Sequence, residues 1–273
     1  MDISKIKNAT IGLGLIDTNS TICAVGGSGV IIDPRGYFIT ATHVLTGLEK
    51  LRNELLENNK ESLETWLAMI SYIPHENGKY SLITNRITNY FPFGLDLENL
   101  DFDISLGWLS VKEENHPFLE ISDRRSFLPL EQVTMCGYPG GNFTLNPYGS
   151  IVDLSFSPVI ENTTIGSLMP ADDAPTHQGM IMNNISTGGS SGSPVIDSSE
   201  KIIGIAQWVI PAEVNVNISD TFATAKIGKT FALSCAVFSD CNKAISQIES
   251  GAKTITGLEM NRSKSIFIKN IPS

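Results

Sequence analysis

Short apolar runs separated by turn residues make up most of this chain. The segment Asp33-Pro34-Arg35-Gly36 is typical of these turns, because Pro and Gly stand where a β-turn favours them. Many short strands at regular spacing predict an all-β fold, built as a sandwich or as a pair of barrels. The predicted strands are Thr10–Ile16, Gly29–Ile32, Tyr37–Thr40, Ser81–Ile87, Ile104–Leu109, Gln132–Cys136, Ser150–Leu154, Gly179–Asn183, Ser193–Ile196, Ile202–Trp208 and Thr230–Leu233.

One segment breaks this pattern. Between Thr46 and Tyr72, apolar residues recur at helical spacing with Glu and Lys between them, which predicts one or two amphipathic helices. We interpret 46–72 as a surface insertion whose apolar stripe packs on the β-structure; the alternative is a docking surface for a regulatory protein. A closing helix is predicted at Ser239–Glu249, and 251–273 as a tail or an extra strand. The apolar positions of the insertion are Leu48, Leu51, Leu55, Leu63, Trp66, Leu67 and Ile70.

Composition and charge indicate which classes of partner the protein does not bind. With 41% apolar and 18% charged residues, the 273-residue chain is ordinary for a globular protein of one larger domain or two small barrels. The net charge of −10 without any basic run excludes a nucleic-acid-binding role. No apolar run reaches the roughly 18 residues of a membrane helix, so no membrane association is expected. The start of the chain lacks a basic region followed by a long apolar one, which predicts a cytoplasmic protein.

The four cysteines do not suggest a metal site. Cys23, Cys136, Cys235 and Cys241 form no CxxC pair, so we expect free and mostly buried thiols. No metal and no cofactor are predicted.

A serine in a glycine-rich turn is the first residue with candidate chemistry. In Gly189-Ser190-Ser191-Gly192-Ser193-Pro194, small residues surround Ser191, and a Pro ends the turn before an apolar run. Gly189 lets the chain turn so that the backbone N–H groups of 189 and 191 point together. Two such donors can hold a developing oxyanion, so the turn is a candidate site for a nucleophile with Gly189 and Ser191 as its oxyanion donors. The alternative is a plain loop, which a Gly/Ser stretch taken alone more often forms.

A histidine and an aspartate can complete such a site. His43 ends the β-run that starts at Tyr37, whereas the other three histidines lie in loops and are interpreted as structural. Asp103 opens an alternating apolar strand, where a carboxylate can accept from the histidine Nδ1–H and fix its tautomer. Asp101, two positions earlier, is the competing candidate.

Taken together, these motifs resemble the trypsin-like serine peptidases, and within them the HtrA (Deg) branch. The segment Gly27–Val44 is similar to the strand-turn-strand that ends in the family's catalytic histidine, and Gly137-Tyr138-Pro139-Gly140 is similar to the loop opening its second barrel. The order His, Asp, Ser also agrees. The resemblance implies two six-stranded antiparallel β-barrels of the chymotrypsin type and a catalytic triad of His43, Asp103 and Ser191.

The domain organisation expected from this resemblance has three parts. Residues 1–118 form the first barrel with the helical insertion 46–72, residues 119–240 form the second, and 241–273 form a short helix and tail. The insertion accounts for the long separation between the catalytic histidine and aspartate. Residues 241–273 are too few for the PDZ domain that HtrA relatives often carry, so regulation is expected through the insertion, the tail, oligomerisation or another protein.

Substrate preference is also implied by the resemblance. The base of the specificity pocket falls at Ile185 and Ser186, and its wall at Gln207, Trp208 and Val209. No Asp or Glu lies there, which argues against cleavage after Arg or Lys and favours small or medium aliphatic residues. The predicted function is a serine endopeptidase acting on protein or peptide substrates. The alternative is a latent or catalytically silent module with the same fold, controlled by a partner.

Overall fold

The computed structural model describes residues 1–17, 22–58, 66–75, 80–96, 99–109, 115–139, 157–186, 189–218, 221–239 and 241–250. Strands dominate, and few helices accompany them. The helices are α1 (Ile3–Ala9), α2 (Thr42–Asn58) and α3 (Cys241–Glu249), with a 3₁₀ turn at Cys235–Val237. The strands are β1 (Thr10–Ile16), β2 (Ile22–Asp33), β3 (Tyr37–Thr40), β4 (Trp66–Pro74), β5 (Tyr80–Asp96), β6 (Asn99–Leu109), β7 (Gln132–Gly137), β8 (Val159–Met169), β9 (Gly179–Ser186), β10 (Pro194–Ile196), β11 (Ile202–Ile218) and β12 (Thr221–Ser234).

The strands close into two antiparallel barrels of six strands each. The order is β1-β2-β3-β6-β5-β4 in the first barrel and β10-β11-β12-β9-β8-β7 in the second. This confirms the predicted all-β fold of two six-stranded barrels. The predicted strand Ser150–Leu154 and the tail 251–273 lie outside the described residues.

The later part of strand β2, from Gly27 to Ile32, and all of β3 bury both of their faces. Ile31 and Phe38 are paired and belong to the core of the first barrel, whereas Val30 and Ile39 are paired and belong to a core shared with the second barrel. Successive side chains of a strand point to opposite faces, so a strand segment between two cores carries apolar side chains on both faces. This explains the continuous apolar runs Val30–Ile32 and Tyr37–Ile39.

The connection between the barrels is tied to both of them. Leu119 N–H donates to Ile31 of the first barrel at 3.0 Å, and Ser122 N–H donates to Ile202 of the second at 2.9 Å. These bonds satisfy backbone groups that would otherwise be buried without partners. They fix the site-bearing strands of the two barrels with respect to one another.

The predicted helical insertion 46–72 is correct only in its first part. Helix α2 already begins at Thr42, and Trp66–Tyr72 lies in strand β4, which pairs with β1 and β5. Ala68, Met69 and Ile70 are consecutive and fully buried, because a strand that closes the barrel meets packed atoms on both faces. A short apolar run can fit either a helix or a strand, and here the pairing with β1 and β5 decides for the strand.

Helices α2 and α3 pack against the barrels. Val44, Leu45 and Leu48 of α2 are buried in the core of the first barrel. Helix α3 confirms the predicted short C-terminal helix: it buries Ala244 and Ile245, and its Glu249 accepts a hydrogen bond from the Tyr37 hydroxyl. Each helix therefore covers one side of the hairpin that leads to His43.

Two glycines provide a matched test of this packing. A Cβ added at Gly107 would lie 2.2 Å from Cζ of Phe38, whereas nothing lies within 4 Å of one added at Gly47 on α2. We expect Gly107→Ala to lower the free energy of unfolding by about 1–3 kcal/mol through overpacking. Gly47→Ala should raise it by about 0.5–1 kcal/mol, because alanine loses less backbone entropy in a helix. Urea unfolding of both variants measures this; equal effects would contradict the described packing at Phe38.

Candidate active site

The first barrel places His43 against Asp103. Thr40, at the end of β3, pairs with Ser105 on β6, so two residues that are 60 positions apart in sequence become neighbours. Asp103 Oδ1 accepts a hydrogen bond from the His43 backbone N–H at 2.8 Å, and Oδ2 accepts from Nδ1. Two bonds to one carboxylate fix both the ring orientation and the tautomer, which leaves Nε2 as the basic atom.

The His43 ring is accessible while its partner is more sheltered. The His43 side chain is 46% exposed and that of Asp103 is 25% exposed. Beside them, the buried hydroxyls of Thr42 and Ser105 are hydrogen-bonded at 2.8 Å. The arrangement can take a proton from a group that approaches from solvent, and the carboxylate stabilises the imidazolium that results.

The second barrel presents Ser191 in a tight turn between β9 and β10. Gly189 and Gly192 have φ angles of 90° and 84°, the left-handed region that glycine adopts without strain. Gly192 N–H donates to Ala206 at 2.7 Å, and Ser193 N–H donates to Ser190 at 3.1 Å. A Cβ at Gly192 would lie 1.9 Å from the Ser28 carbonyl oxygen, so both geometry and space require glycine there.

The turn lies directly against the strand and helix that flank His43. A Cβ added at Gly27 would be 2.7 Å from Val44 Cγ2 and 3.0 Å from the Ser191 carbonyl oxygen. Ser28 N–H donates to that same carbonyl at 2.8 Å. The backbone of Ser191 is therefore fixed beside the residue that follows His43.

The Ser191 hydroxyl has a definite partner in this structure. Its Oγ donates to the backbone carbonyl of Gln207 at 2.7 Å. Gln207 lies at an irregularity of β11, where the pairing with β12 passes from Ala206 to Trp208. Bulges of this kind often stand next to active sites, because they free a backbone group from the ladder. The structure thus joins His43 to Asp103 directly, and Ser191 to Gln207.

The two predicted oxyanion donors are unengaged within the part of the chain that is described. Neither the Gly189 N–H nor the Ser191 N–H donates a hydrogen bond to another described residue. The Ser190 carbonyl accepts from Ser193, and N–H and C=O of a trans peptide point to opposite sides. The Ser191 N–H is consequently directed away from the interior of the turn.

The predicted pocket residues lie on the two neighbours of β12. Ile185 and Ser186 end β9 and pair with Lys229 and Gly228, while Val209 on β11 pairs with Thr230. For Ile185, Ser186 and Val209 the structure describes the backbone and not the side chains. Trp208 is 38% exposed, and its ring stacks on that of Phe231 at a centroid distance of 4.6 Å. Gln207 is fully buried.

The cysteines offer no competing nucleophile among the described side chains. Cys136, Cys235 and Cys241 are buried thiols outside any disulfide, as predicted. Burial raises the pKa of the Cys136 thiol to about 11 and that of Cys235 to about 12. Thiols with such pKa values stay protonated at neutral pH and are poor nucleophiles.

Two residues that shape the site, Ser28 and Thr40, were not predicted from the sequence. Ser28 contacts the Ser191 turn, and Thr40 Oγ1 donates to the Ser28 carbonyl at 2.6 Å. Their only signal in the sequence is their position within the Gly27–Val44 segment. A strand residue that bonds to a turn more than 160 positions away has no periodic pattern of its own.

Two closed six-stranded barrels, one with a histidine–aspartate pair and the other with a serine in a glycine turn, define the class of double-barrel serine peptidases. The family described as "Trypsin-like peptidase domain" matches residues 27–205, well over half of the chain. The chain therefore belongs to the trypsin-like peptidase domain family.

Similar proteins place it near the HtrA branch, as the sequence predicted. A "Probable periplasmic serine endoprotease DegP-like" of Rickettsia conorii is 24% identical over 222 residues, which cover 78% of this chain and 34% of that protein. The chain thus spans about a third of that relative's length. Because the relative is described as periplasmic, the cytoplasmic location stays a prediction. No helix within the described ranges is long and apolar enough to cross a membrane.

Solved structures share the fold. The MamO protease domain from Magnetospirillum magneticum has a TM-score of 0.52 and 13% identity, covering 87% of this chain and 97% of that one. Deg5 has a TM-score of 0.51 and 13% identity, covering 90% of each chain. The HtrA-type protease AlgW with a decapeptide has a TM-score of 0.50 and 14% identity, covering 92% of this chain and 67% of the other.

Proposed function

We propose that this chain is a serine endopeptidase that cleaves peptide bonds through Ser191, His43 and Asp103. The observation that carries the proposal is the Asp103 carboxylate, which accepts both the backbone and the ring N–H of His43. A carboxylate in this position keeps Nε2 basic and directed outward, as a general base for a hydroxyl requires. The Ser191 turn lies against Gly27, which also contacts Val44, the residue after His43, and the chain belongs to a family of peptidases.

In the proposed reaction, Ser191 Oγ attacks the substrate carbonyl while its proton passes to His43 Nε2. The carbonyl oxygen becomes an oxyanion, and the Gly189 and Ser191 N–H groups stabilise it. The tetrahedral intermediate then collapses to an ester at Ser191, and the imidazolium gives its proton to the leaving amine. Water then attacks the ester while His43 Nε2 takes its proton. The second tetrahedral intermediate collapses, Ser191 Oγ regains a proton from His43, and the acid product leaves. No cofactor takes part.

Substrate binding is proposed to prepare the nucleophile. The backbone of Gln207–Val209 can pair with an extended peptide as an added strand. The Gln207 carbonyl, which now accepts from Ser191 Oγ, would accept from a substrate N–H instead. Loss of this bond leaves the Ser191 hydroxyl free to turn towards His43.

The test of this function is reaction of the purified protein with a fluorophosphonate probe, followed by cleavage of an unfolded protein such as casein. We expect covalent labelling at Ser191 and cleavage at internal bonds. A folded protein that neither labels nor cleaves would contradict the proposal. It would favour the latent or silent module, and the search for a regulatory partner at 46–72 or the tail would follow.

Substrate preference is proposed to be aliphatic. In a peptide library, we expect cleavage after small or medium residues such as Ala, Val and Leu, because no acidic residue occurs at 185, 186 or 207–209. A basic side chain would there be buried without a countercharge. Mass spectrometry of the products identifies the cleaved position. Predominant cleavage after Arg or Lys would show that this pocket assignment is wrong.

A further inference from the structure

Ser28 is a fully buried polar residue of the first barrel that contacts the Ser191 turn of the second. It lies on β2 opposite Gly12 of β1. Its side-chain Oγ donates to the Gly189 carbonyl at 3.0 Å and accepts from the Tyr138 N–H at 2.9 Å. One hydroxyl therefore satisfies two backbone groups from different loops of the second barrel.

The backbone of Ser28 adds two further bonds. Its N–H donates to the Ser191 carbonyl at 2.8 Å, and its carbonyl accepts from Thr40 Oγ1 at 2.6 Å. Thr40 is the last residue of β3, close in sequence to His43. Ser28 thus connects the strand that leads to the histidine with the turn that carries the serine.

The contacts determine which way the peptide groups of the turn point. Ser28 holds the carbonyls of Gly189 and Ser191, and Ser193 holds that of Ser190. The carbonyls of three successive residues therefore point towards donors within the protein rather than towards solvent. N–H and C=O oppose each other in a trans peptide, so the bond from Ser193 to the Ser190 carbonyl directs the Ser191 N–H out of the turn. The bond from Ser28 to the Gly189 carbonyl fixes the preceding peptide group, on which the position of that N–H depends.

The backbone at two glycines approaches Ser28 closely. A Cβ added at Gly137 would lie 2.9 Å from Ser28 Oγ, and one at Gly192 would lie 1.9 Å from its carbonyl oxygen. Backbone from two glycines therefore encloses the residue. A side chain held this tightly has a single hydrogen-bonding geometry, as a residue that positions others must have.

We infer that Ser28 is a positioning residue whose hydroxyl holds the Gly189–Ser191 turn in the conformation that binds the oxyanion. The inference rests on the proposed function. The hydroxyl touches no substrate atom and acts through the Gly189 carbonyl. Its contribution should appear in the transition state, where the N–H groups of the turn meet a developing charge, rather than in the binding of the substrate.

The experiment compares Ser28→Ala with Ser234→Ala. Ser234 is also fully buried, and its Oγ accepts a backbone N–H, that of Ala236, at 3.1 Å. We expect Ser28→Ala to slow fluorophosphonate labelling by about 10- to 100-fold, less than the 10²–10³-fold typical of removing an oxyanion donor outright. Ser234→Ala should label within twofold of the unaltered protein. Urea unfolding reports the stability of each.

A second measurement separates positioning from general damage. For a peptide cleaved by the protein, Ser28→Ala should lower kcat with KM changed less than twofold. The corresponding peptide boronic acid forms a tetrahedral adduct, so its Ki should rise in proportion to the loss of kcat/KM. A raised KM with unchanged kcat would overturn the inference. Should Ser28→Ala not fold, Thr40→Val removes only the bond to the Ser28 carbonyl, and we expect labelling about fivefold slower.

The outcomes for Ser28 and for the proposed function are distinct. Labelling of Ser28→Ala at the unaltered rate overturns the inference and leaves the function standing. Failure of the unaltered protein to label overturns the function. Hydrogen exchange at the Gly192 and Ser193 amides then tests Ser28 on its own: exchange about fivefold faster or more in Ser28→Ala supports the inference, and unchanged exchange overturns it.

Discussion

Replacing Ser191 by alanine should abolish fluorophosphonate labelling and lower kcat/KM by about 10⁴- to 10⁶-fold. The reason is chemical: alanine has no hydroxyl that could attack, and the buried Cys136 and Cys235 thiols, whose pKa values are raised, offer no substitute. The fold should be retained, because Ser191 is held through its backbone carbonyl by Ser28 and through the neighbouring Gly192. A decrease in kcat/KM of this size is typical when the nucleophile of a triad is removed, because the three residues act together. Labelling and peptide hydrolysis measure the effect.

Ser190→Ala is the matched control for this variant. The contact of Ser190 within the turn is made by its backbone carbonyl, which accepts from Ser193, so loss of its hydroxyl should change labelling less than threefold. If Ser190→Ala lost labelling and Ser191→Ala kept it, the nucleophile would be one position earlier than proposed. If both variants kept it, the probe would react elsewhere and the proposed site would be wrong.

Replacing Asp103 by asparagine should lower kcat/KM by about 10⁴-fold at neutral pH. Asparagine can still accept from the His43 backbone N–H through its carbonyl oxygen. Its amide, however, would donate to Nδ1 where the carboxylate now accepts, which places the ring proton on Nε2. That tautomer cannot take a proton from Ser191. The steady-state rate of peptide hydrolysis measures the loss, and circular dichroism checks the fold.

Asp101→Asn serves as the control for Asp103. The two aspartates lie on β6, and both were candidates from the sequence. Asp103 makes both of the described bonds to His43, so we expect Asp101→Asn to keep activity within about threefold. A large loss in Asp101→Asn with little change in Asp103→Asn would mean that the wrong carboxylate has been assigned.

The three catalytic candidates could be predicted from the sequence because each of them lies in a recognisable local pattern. A histidine ends an apolar run, an aspartate opens one, and Ser191 lies among glycines that a turn requires. The separation of 60 positions in sequence between His43 and Asp103 does not by itself predict that the two residues are in contact. That contact follows from the pairing of β3 with β6, which the barrel imposes.

Local periodicity failed where one pattern fits two structures. The apolar residues at 66–72 have a spacing that suits a helix, yet they form a strand because β1 and β5 each lack a neighbour there. Backbone groups at the edges of two strands need partners, and closing the barrel supplies them. Such a requirement comes from the whole sheet and has no counterpart in a short window of sequence.

By itself, the sequence determined the class of fold, the identity of the catalytic candidates and the glycines that allow the Ser191 turn, since all of these depend on residue type and short-range order. The tertiary structure alone decided that Ser28 meets the Gly189 carbonyl, that Gln207 holds the Ser191 hydroxyl and that β4 closes the first barrel. Each of these is a hydrogen bond between residues distant in sequence, or between backbone groups that every residue possesses. Only the packing of the two barrels selects which of them pair.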